Sequence, residues 1–381
     1  MHLLALADAL AQRSFPVEII ALGDAAAGFF RPVTVPCTFV TPPQPAVDLE
    51  TRVFDAVDAL EHGLRQRAAS LPPVLHVQDC IAARAAVAVR DAGEAVRVLR
   101  TVHHVDDFST PALVECQRRS ILEPDRLLVV SRTWQRQLAH EYGVEADVVS
   151  NGVDLKRFAT EPSPATLAAL RARAGATDRF LILNVGGIEP RKGTDHLFRA
   201  VSRLCHAWEV PPVLAIVGGH SFQDHRPYRD RVIASMADLD LELGRDVVLL
   251  GTVPDEEMPA WYHAADAFAF PSVKEGFGLV VLEAMAAGLP VVLSDLPVFA
   301  EYLRLGDDAL AVTPGDEDGL AEALERVALD DDVRARLRTR GWEVAAGFGW
   351  DTMARQHVAI YDQMLAIDDT PGEVGYSSGS P

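Results

Sequence analysis

The chain has almost no lysine: Lys156, Lys192 and Lys274 are the only three among 35 cationic side chains in 381 residues. Positive charge is in deficit overall, with 55 acidic residues and a formal net charge of −20 at pH 7. That balance leaves no extended basic face, which excludes nucleic acid or an anionic membrane surface as the main partner. Any site for an anion must be local. Cysteine is scarce as well: Cys37, Cys80, Cys116 and Cys205 are scattered, without the paired spacing of a zinc site or a redox dithiol, and no signal-peptide pattern precedes them. The expectation is a reducing, cytoplasmic setting. No run reaches the ~18 apolar residues that a membrane helix needs.

What is present is a globular composition, 49% apolar and 24% charged, long enough for two domains. Short β-branched runs alternate with alanine-rich amphipathic stretches, a pattern that predicts parallel sheets built from βαβ units. In the first half the predicted strands are 17–22, 74–78, 96–102, 126–130 and 147–149. In the second half they are 180–185, 213–217, 246–250, 267–270 and 290–293. Residues 160–178 are rich in Pro and Ala and predict a linker followed by a helix. Residues 367–381 are rich in Gly, Ser and Asp and predict a disordered tail.

The most informative stretch is Pro271-Ser-Val-Lys-Glu275-Gly276-Phe277-Gly278-Leu279-Val-Val-Leu-Glu283-Ala-Met. Glu283 lies inside an apolar helical run, where an unpaired carboxylate would cost several kcal/mol in lost solvation, so it needs a partner. Gly276 and Gly278 leave backbone N–H groups open at the start of that helix, where the macrodipole favours an anion such as phosphate. A carboxylate beside an anion pocket points to a bound nucleotide. A second loop, Gly186-Gly-Ile-Glu-Pro-Arg191-Lys192-Gly-Thr194, follows a predicted strand and enters a helix that Thr194 can cap. Its two adjacent cations are suited to a diphosphate leaving group.

These two stretches, with Ser150-Asn-Gly-Val-Asp154, resemble the retaining glycosyltransferases of family 4 over nearly the whole chain. The resemblance implies the α/β GT-B fold: two doubly wound Rossmann-like domains facing across a cleft, with domain closure as a step of the reaction. It places an N-terminal acceptor-side domain at 1–155, a nucleotide-sugar-binding domain at 175–347, and a helix at 350–366 returning to the first domain. It further implies sugar transfer from a nucleoside-diphosphate sugar to an unknown acceptor hydroxyl, with retention and with neither metal nor resident cofactor. Glu283 matches the family's ribose-binding glutamate, Glu275 the one contacting the donor sugar, and Lys192 the phosphate-binding lysine. Where the family often has an arginine after the first loop glycine, this chain has Gly187, and Arg191 is the substitute cation. Gly276, Phe277, Gly278 and Leu279 then bind the donor through their backbone, and Val253, after the glycine at 251, faces the base. The glycines at 218 and 219 are weaker candidates.

Thr101-Val-His103-His104-Val-Asp106-Asp107 follows another predicted strand. Its Thr-x-His placement matches the family's active-site histidine, assigned to His103. His104 in that role, a structural histidine pair and a metal site stay open as alternatives on the residues alone. One element of the fold is lacking. The chain opens directly on a helix, His2-Leu-Leu-Ala-Leu-Ala-Asp-Ala-Leu, without the first strand and glycine loop of the first domain, so a start ~20 to 25 residues upstream is expected. A nucleotide-sugar epimerase, or a non-catalytic sugar-nucleotide binder lacking that strand, are the rival functions.

Overall fold

A computed structural model describes residues 2–44, 46, 48–219 and 225–366. Among the described residues there are twelve strands, and every pairing between them is parallel. The first half holds β1 (Ile19–Leu22), β2 (Cys37–Val40), β3 (Val74–Val77), β4 (Arg97–Val102), β5 (Arg126–Val129) and β6 (Asp147–Val148). The second holds β7 (Leu181–Val185), β8 (Val213–Val217), β9 (Val247–Gly251), β10 (Ala267–Phe270), β11 (Val291–Ser294) and β12 (Leu310–Val312). All ten predicted strands are present. β2 and β12 were not foreseen: β2 lies between Pro36 and the Pro42-Pro43 pair, which reads as turn, and β12 is too short to show a periodicity.

The second sheet is ordered β9-β8-β7-β10-β11-β12, the 3-2-1-4-5-6 arrangement of a doubly wound fold. In the first half, β1 pairs only with β2, and β3-β4-β5-β6 form a separate sheet. The place that β7 occupies in the second half, between its two wings, holds no described strand in the first. Among the described residues the first half is thus split into a two-stranded and a four-stranded sheet.

The helices of the first half are α1 (His2–Gln12), α2 (Leu49–Gln66), α3 (Cys80–Asp91), α4 (Pro111–Leu122) and α5 (Arg132–Tyr142). Between the sheets come α6 (Leu155–Ala159) and α7 (Pro164–Arg173). The second half adds α8 (Thr194–Ala207), α9 (Arg226–Ala234), α10 (Met258–Ala264), α11 (Leu279–Ala286), α12 (Glu317–Leu329) and α13 (Asp331–Ala346), and α14 (Trp350–Ala366) closes the described chain. Side-chain caps set several of the starts: Asp79 accepts from Ala82 N–H at α3, Ser131 from Trp134 at α5, and Asp316 from Gly319 at α12. Leu6 and Leu10 of α1 pack with Ala354, Ile360, Tyr361 and Met364 of α14 against Leu99 and Leu128 of the first sheet. Each such leucine contributes about 1.5–3 kcal/mol of burial. The end of the described chain therefore returns to the first half. A larger apolar cluster joins the two halves, running from Val129 and Trp134 to Phe277 and Val281.

No helix among the described residues is long and apolar enough to cross a membrane. The tail at 367–381 lies outside the described residues.

Candidate active site

Glu275 sits where three loops meet, its side chain only 8% exposed. Its Oε1 accepts from Lys192 Nζ at 2.6 Å, Ser272 Oγ at 3.0 Å and Arg191 Nη1 at 3.3 Å. Lys192 lies over the Phe270 ring, 4.7 Å from its centroid. Burial lowers the Lys192 pKa, and the Glu275 carboxylate opposes that shift. Both cations of the loop after β7 thus converge on one carboxylate at the carboxyl end of the second sheet. Arg191 is also held by Glu189, with Nε 3.0 Å from Oε2, and is 45% exposed. A Cβ at Gly187 would lie 3.0 Å from Glu189 Oε1 and 3.1 Å from the Gly219 carbonyl, so a side chain there would have to displace its neighbours.

Thr194 does not cap α8. The cap position is Gly193, at φ 63°, and Thr194 is the first helical residue, 1% exposed. A Cβ at Gly193 would fall 2.1 Å from the Pro271 carbonyl, so the close approach of the two loops requires glycine here. Gly218 has a comparable constraint: its Cβ would meet the Gly186 carbonyl at 2.2 Å, a packing reason for that glycine independent of any ligand.

Next to Glu275, the chain turns through Gly276, Phe277 and Gly278 into α11, whose first residue is Leu279. Among the described residues, no acceptor takes the N–H groups of Gly276, Phe277 or Gly278. They stand at a helix N-terminus, a polar environment complementary to an anion. The Phe277 carbonyl is taken by Tyr302 OH at 2.9 Å, and the Phe277 ring stacks on Tyr302. One turn further, Glu283 is 5% exposed, and Tyr262 OH donates to its Oε2 at 2.8 Å. Burial raises its pKa to about 7; the Tyr262 hydrogen bond and Arg157 pull it down, and Asp255 pushes it up. Arg157 and Asp255 are themselves ion-paired at 3.0 Å, and buried Val253 lies two residues before Asp255 in the chain. The partner the sequence required for Glu283 is therefore Tyr262, a residue on α10 with no local signal of that role.

The first half faces this corner through the loop after β4. The His103 carbonyl would lie 2.1 Å from a Cβ on Gly276, so the two halves touch backbone to backbone at this point. His103 Nε2 donates to Gln78 Oε1 at 2.9 Å, and its ring meets that of His2 edge-on at 4.7 Å. Burial pushes the His103 pKa down to about 3. It belongs to a group of four: His2 Nδ1 donates to Asn151 Oδ1 at 2.6 Å, His76 bridges Tyr361 OH and Thr101 Oγ1, and His357 Nδ1 donates to the Met353 carbonyl. Burial lowers the pKa of all four. The neighbouring residues turn elsewhere: His104 Nε2 faces Asp106 Oδ1 at 3.5 Å, and Asp107 pairs with Lys274 of the second half at 3.0 Å.

The Asn151–Asp154 segment lies at the junction. Val153 N–H donates to the Phe348 carbonyl, Gly152 leaves no room for a side chain beside Trp350, and Asp154 caps α6. Sequence reasoning missed Gln78, Arg157, Tyr262 and Ser272. Of these only Ser272, three residues before Glu275, had a local signal. The four cysteines are all free thiols.

Comparison with known proteins adds to this geometry. Residues 1–157 match the model of glycosyltransferase family 4, and residues 168–344 that of the glycosyl transferases of group 1. A D-inositol 3-phosphate glycosyltransferase of Nocardia farcinica is 31% identical over 79% of this chain and 69% of its own length. One from Kribbella flavida is 32% identical over 66% of this chain, which spans only 59% of that relative. Among solved structures, sucrose-phosphate synthase from Thermosynechococcus elongatus superposes with a TM-score of 0.78 at 22% identity, covering 95% of this chain and 92% of that one. An Anabaena protein, HepE, solved with UDP-glucose, superposes with a TM-score of 0.77 at 20% identity, covering 95% of each chain.

Proposed function

This chain belongs to the glycosyltransferases of family 4 and group 1, and from that premise we propose that it moves a sugar from a nucleoside-diphosphate sugar to an acceptor hydroxyl with retention of configuration. The observation that carries this is the corner where Lys192, Arg191 and Glu275 meet the open N–H groups of Gly276 to Gly278. One cationic loop and one helix N-terminus, joined through Glu275, supply the two kinds of group that a diphosphate requires.

In this reading Glu283 accepts the hydroxyls of the donor ribose, held in position by Tyr262, and Val253 lies against the base. Lys192 and Arg191 exchange part of their hold on Glu275 for the diphosphate oxygens, neutralising charge as the bond from the anomeric carbon to the phosphate oxygen breaks. Glu275, freed from the cations, faces the donor sugar. The acceptor oxygen bonds to the anomeric carbon on the face the diphosphate leaves, and its proton passes to the departing phosphate oxygen. His103, kept neutral by burial and oriented by Gln78, lies beside the reacting sugar. With the leaving-group charge carried by Lys192, Arg191 and the helix terminus, the step calls on no metal. The UDP-glucose bound by the Anabaena neighbour supports a nucleotide sugar as donor.

A thermal-shift screen with UDP, GDP and ADP sugars tests the reading, since a ligand at a hundred times its Kd adds about 2.7 kcal/mol to stability. One base should raise Tm. Glu283→Ala should abolish that shift and cut transfer by roughly 30- to 1000-fold, about 2–4 kcal/mol. No shift with any nucleotide sugar, or a Glu283→Ala variant that transfers as well as the parent, would overturn it.

A further inference from the structure

We infer, resting on the nucleotide-sugar reading of this corner, that Tyr302 is a positioning residue for the donor diphosphate: by holding the Phe277 carbonyl it fixes the Phe277–Gly278 peptide with the Gly278 N–H turned toward the anion. Gly278 caps α11 at φ 87°, in the left-handed region. A peptide that precedes a glycine can rotate by about 180°, because ψ of the residue before and φ of the glycine change together and glycine accepts both signs of φ. The two orientations are not equivalent for an anion. One offers it the Gly278 N–H, and the other turns the Phe277 carbonyl dipole against it.

The glycine cannot be exchanged for a stiffer residue that would settle the choice, since a Cβ on Gly278 would lie 2.6 Å from Phe299 Cε1. The choice is made from outside the loop. Tyr302 OH donates to the Phe277 carbonyl at 2.9 Å, and its ring stacks on that of Phe277 with centroids 5.2 Å apart. No cis peptide occurs among the described residues, and in a trans peptide the N–H lies opposite the C=O, so the Gly278 N–H points away from Tyr302. Among the described residues that N–H meets no acceptor. Burial, with the Glu275 and Glu301 carboxylates acting in the same direction, raises the Tyr302 pKa well above that of an ordinary phenol, which keeps the hydroxyl a donor.

The phenol stands on a fixed support. Tyr302 follows the short 3-10 turn Phe299–Glu301, and its ring meets that of Phe348 edge-on at 5.4 Å. Glu301, its neighbour in the chain, is tied to the first half through the N–H groups of Arg132 and Thr133. The start of the glycine loop is braced independently, because a Cβ on Gly276 would meet the His103 carbonyl at 2.1 Å and Trp134 Nε1 at 3.3 Å. The peptide between Phe277 and Gly278 depends for its orientation on the Tyr302 hydrogen bond.

Tyr302→Phe tests this, since it keeps the stacked ring and removes only the hydroxyl. Titration calorimetry compares parent and variant with whichever of UDP, GDP or ADP binds the parent, and with the matching nucleoside. The diphosphate should bind the variant about 10-fold more weakly, as for loss of one hydrogen bond to a charged group, and the nucleoside should bind both proteins equally. Unchanged diphosphate binding, or an equal loss for nucleoside and diphosphate as a general loosening would give, overturns the inference while the parent's own binding leaves the nucleotide-sugar reading standing. A parent that binds none of the three diphosphates sinks that reading, and the role of Tyr302 with it. Hydrogen exchange at the Gly278 amide of the parent, resolved by electron-transfer fragmentation, decides the matter even if the variant does not fold. Saturating diphosphate should slow it, and an unchanged rate would overturn the inference.

Discussion

The second half of the molecule has an unbroken six-stranded sheet with β8, β10 and β11 buried along their whole length, whereas the first half divides its strands two and four and leaves β2 half-covered at every position. The polar residues of the two halves differ accordingly. The second half buries carboxylates that each find a partner: Asp246 pairs with Arg179 and Arg245, Asp308 with Arg304, and Glu283 accepts from one hydroxyl. The first half buries a group of histidines, two of which, His2 and His357, keep an Nε2 without a partner. A continuous sheet fixes the loops at its strand ends closely enough to hold the Gly276 to Gly278 N–H groups open at a helix start. A divided one relies on side-chain contacts from α1, α14 and the opposite half to hold its loop in place.

The largest expected effect separates the halves by chemistry. Lys192→Ala removes the buried cation of the second half, and transfer should fall by about 100- to 1000-fold while Tm changes little, as for loss of one group stabilising developing charge. Steady-state kinetics check it, and a variant with near-parental kcat/KM would mean that Arg191 and the helix terminus suffice.

Gly276→Ala acts where the halves touch. Its Cβ would lie 2.1 Å from the His103 carbonyl, an atom of the backbone, so the loops must part. Denaturant melts should show a loss of about 1–3 kcal/mol, the usual range for overpacking, accompanied by loss of transfer. An unchanged midpoint would show that the contact yields freely.

The two halves should also respond to acid with opposite signs. His103 is lowered from 6.5 to about 3, so between those values the unfolded chain binds more protons and stability falls as pH drops. His2, His76 and His357 are shifted in the same direction. Glu283 is raised from 4.5 to about 7, so between those values the folded chain binds more protons and its contribution grows as pH drops. The histidines outnumber it, and a net loss of stability on acidification to about pH 5 is expected in denaturant melts. Glu283→Gln, which removes the opposing trend, should steepen that loss; identical melts of both proteins across the range would contradict the opposed assignment.

The smallest effect concerns a strut between the halves. The Glu301 carboxylate accepts from the N–H groups of Arg132 and Thr133, at 2.7 and 2.6 Å, capping α5 from the other half. Ser131 already serves Trp134 N–H, so Glu301→Ala should cost only about 1 kcal/mol. Its sharper readout is proteolysis near α5, expected to quicken; unchanged cleavage would assign the contact no role in holding the halves together.

Much of this was legible in residue order. Ten strands followed from β-branched runs, and Glu283 announced a partner because a carboxylate among Val281, Leu282 and Met285 has no water to solvate it. The partner itself was not legible, since Tyr262 reaches it across a helix packing that no spacing encodes. Thr194 was misplaced as a cap because a threonine after glycine looks like one, while the close approach of the Pro271 carbonyl selects Gly193.

By itself the sequence determined the alternation of strand and helix, the loops that end on glycine and cation, and the family, because these depend on local periodicity and on residue types within one turn of each other. Only the tertiary structure decided that the first sheet is split, that Lys192 and Arg191 meet on Glu275 and that Gly276 rests on the His103 backbone. Those depend on pairwise distances across the chain, which short-range chemistry constrains but does not specify.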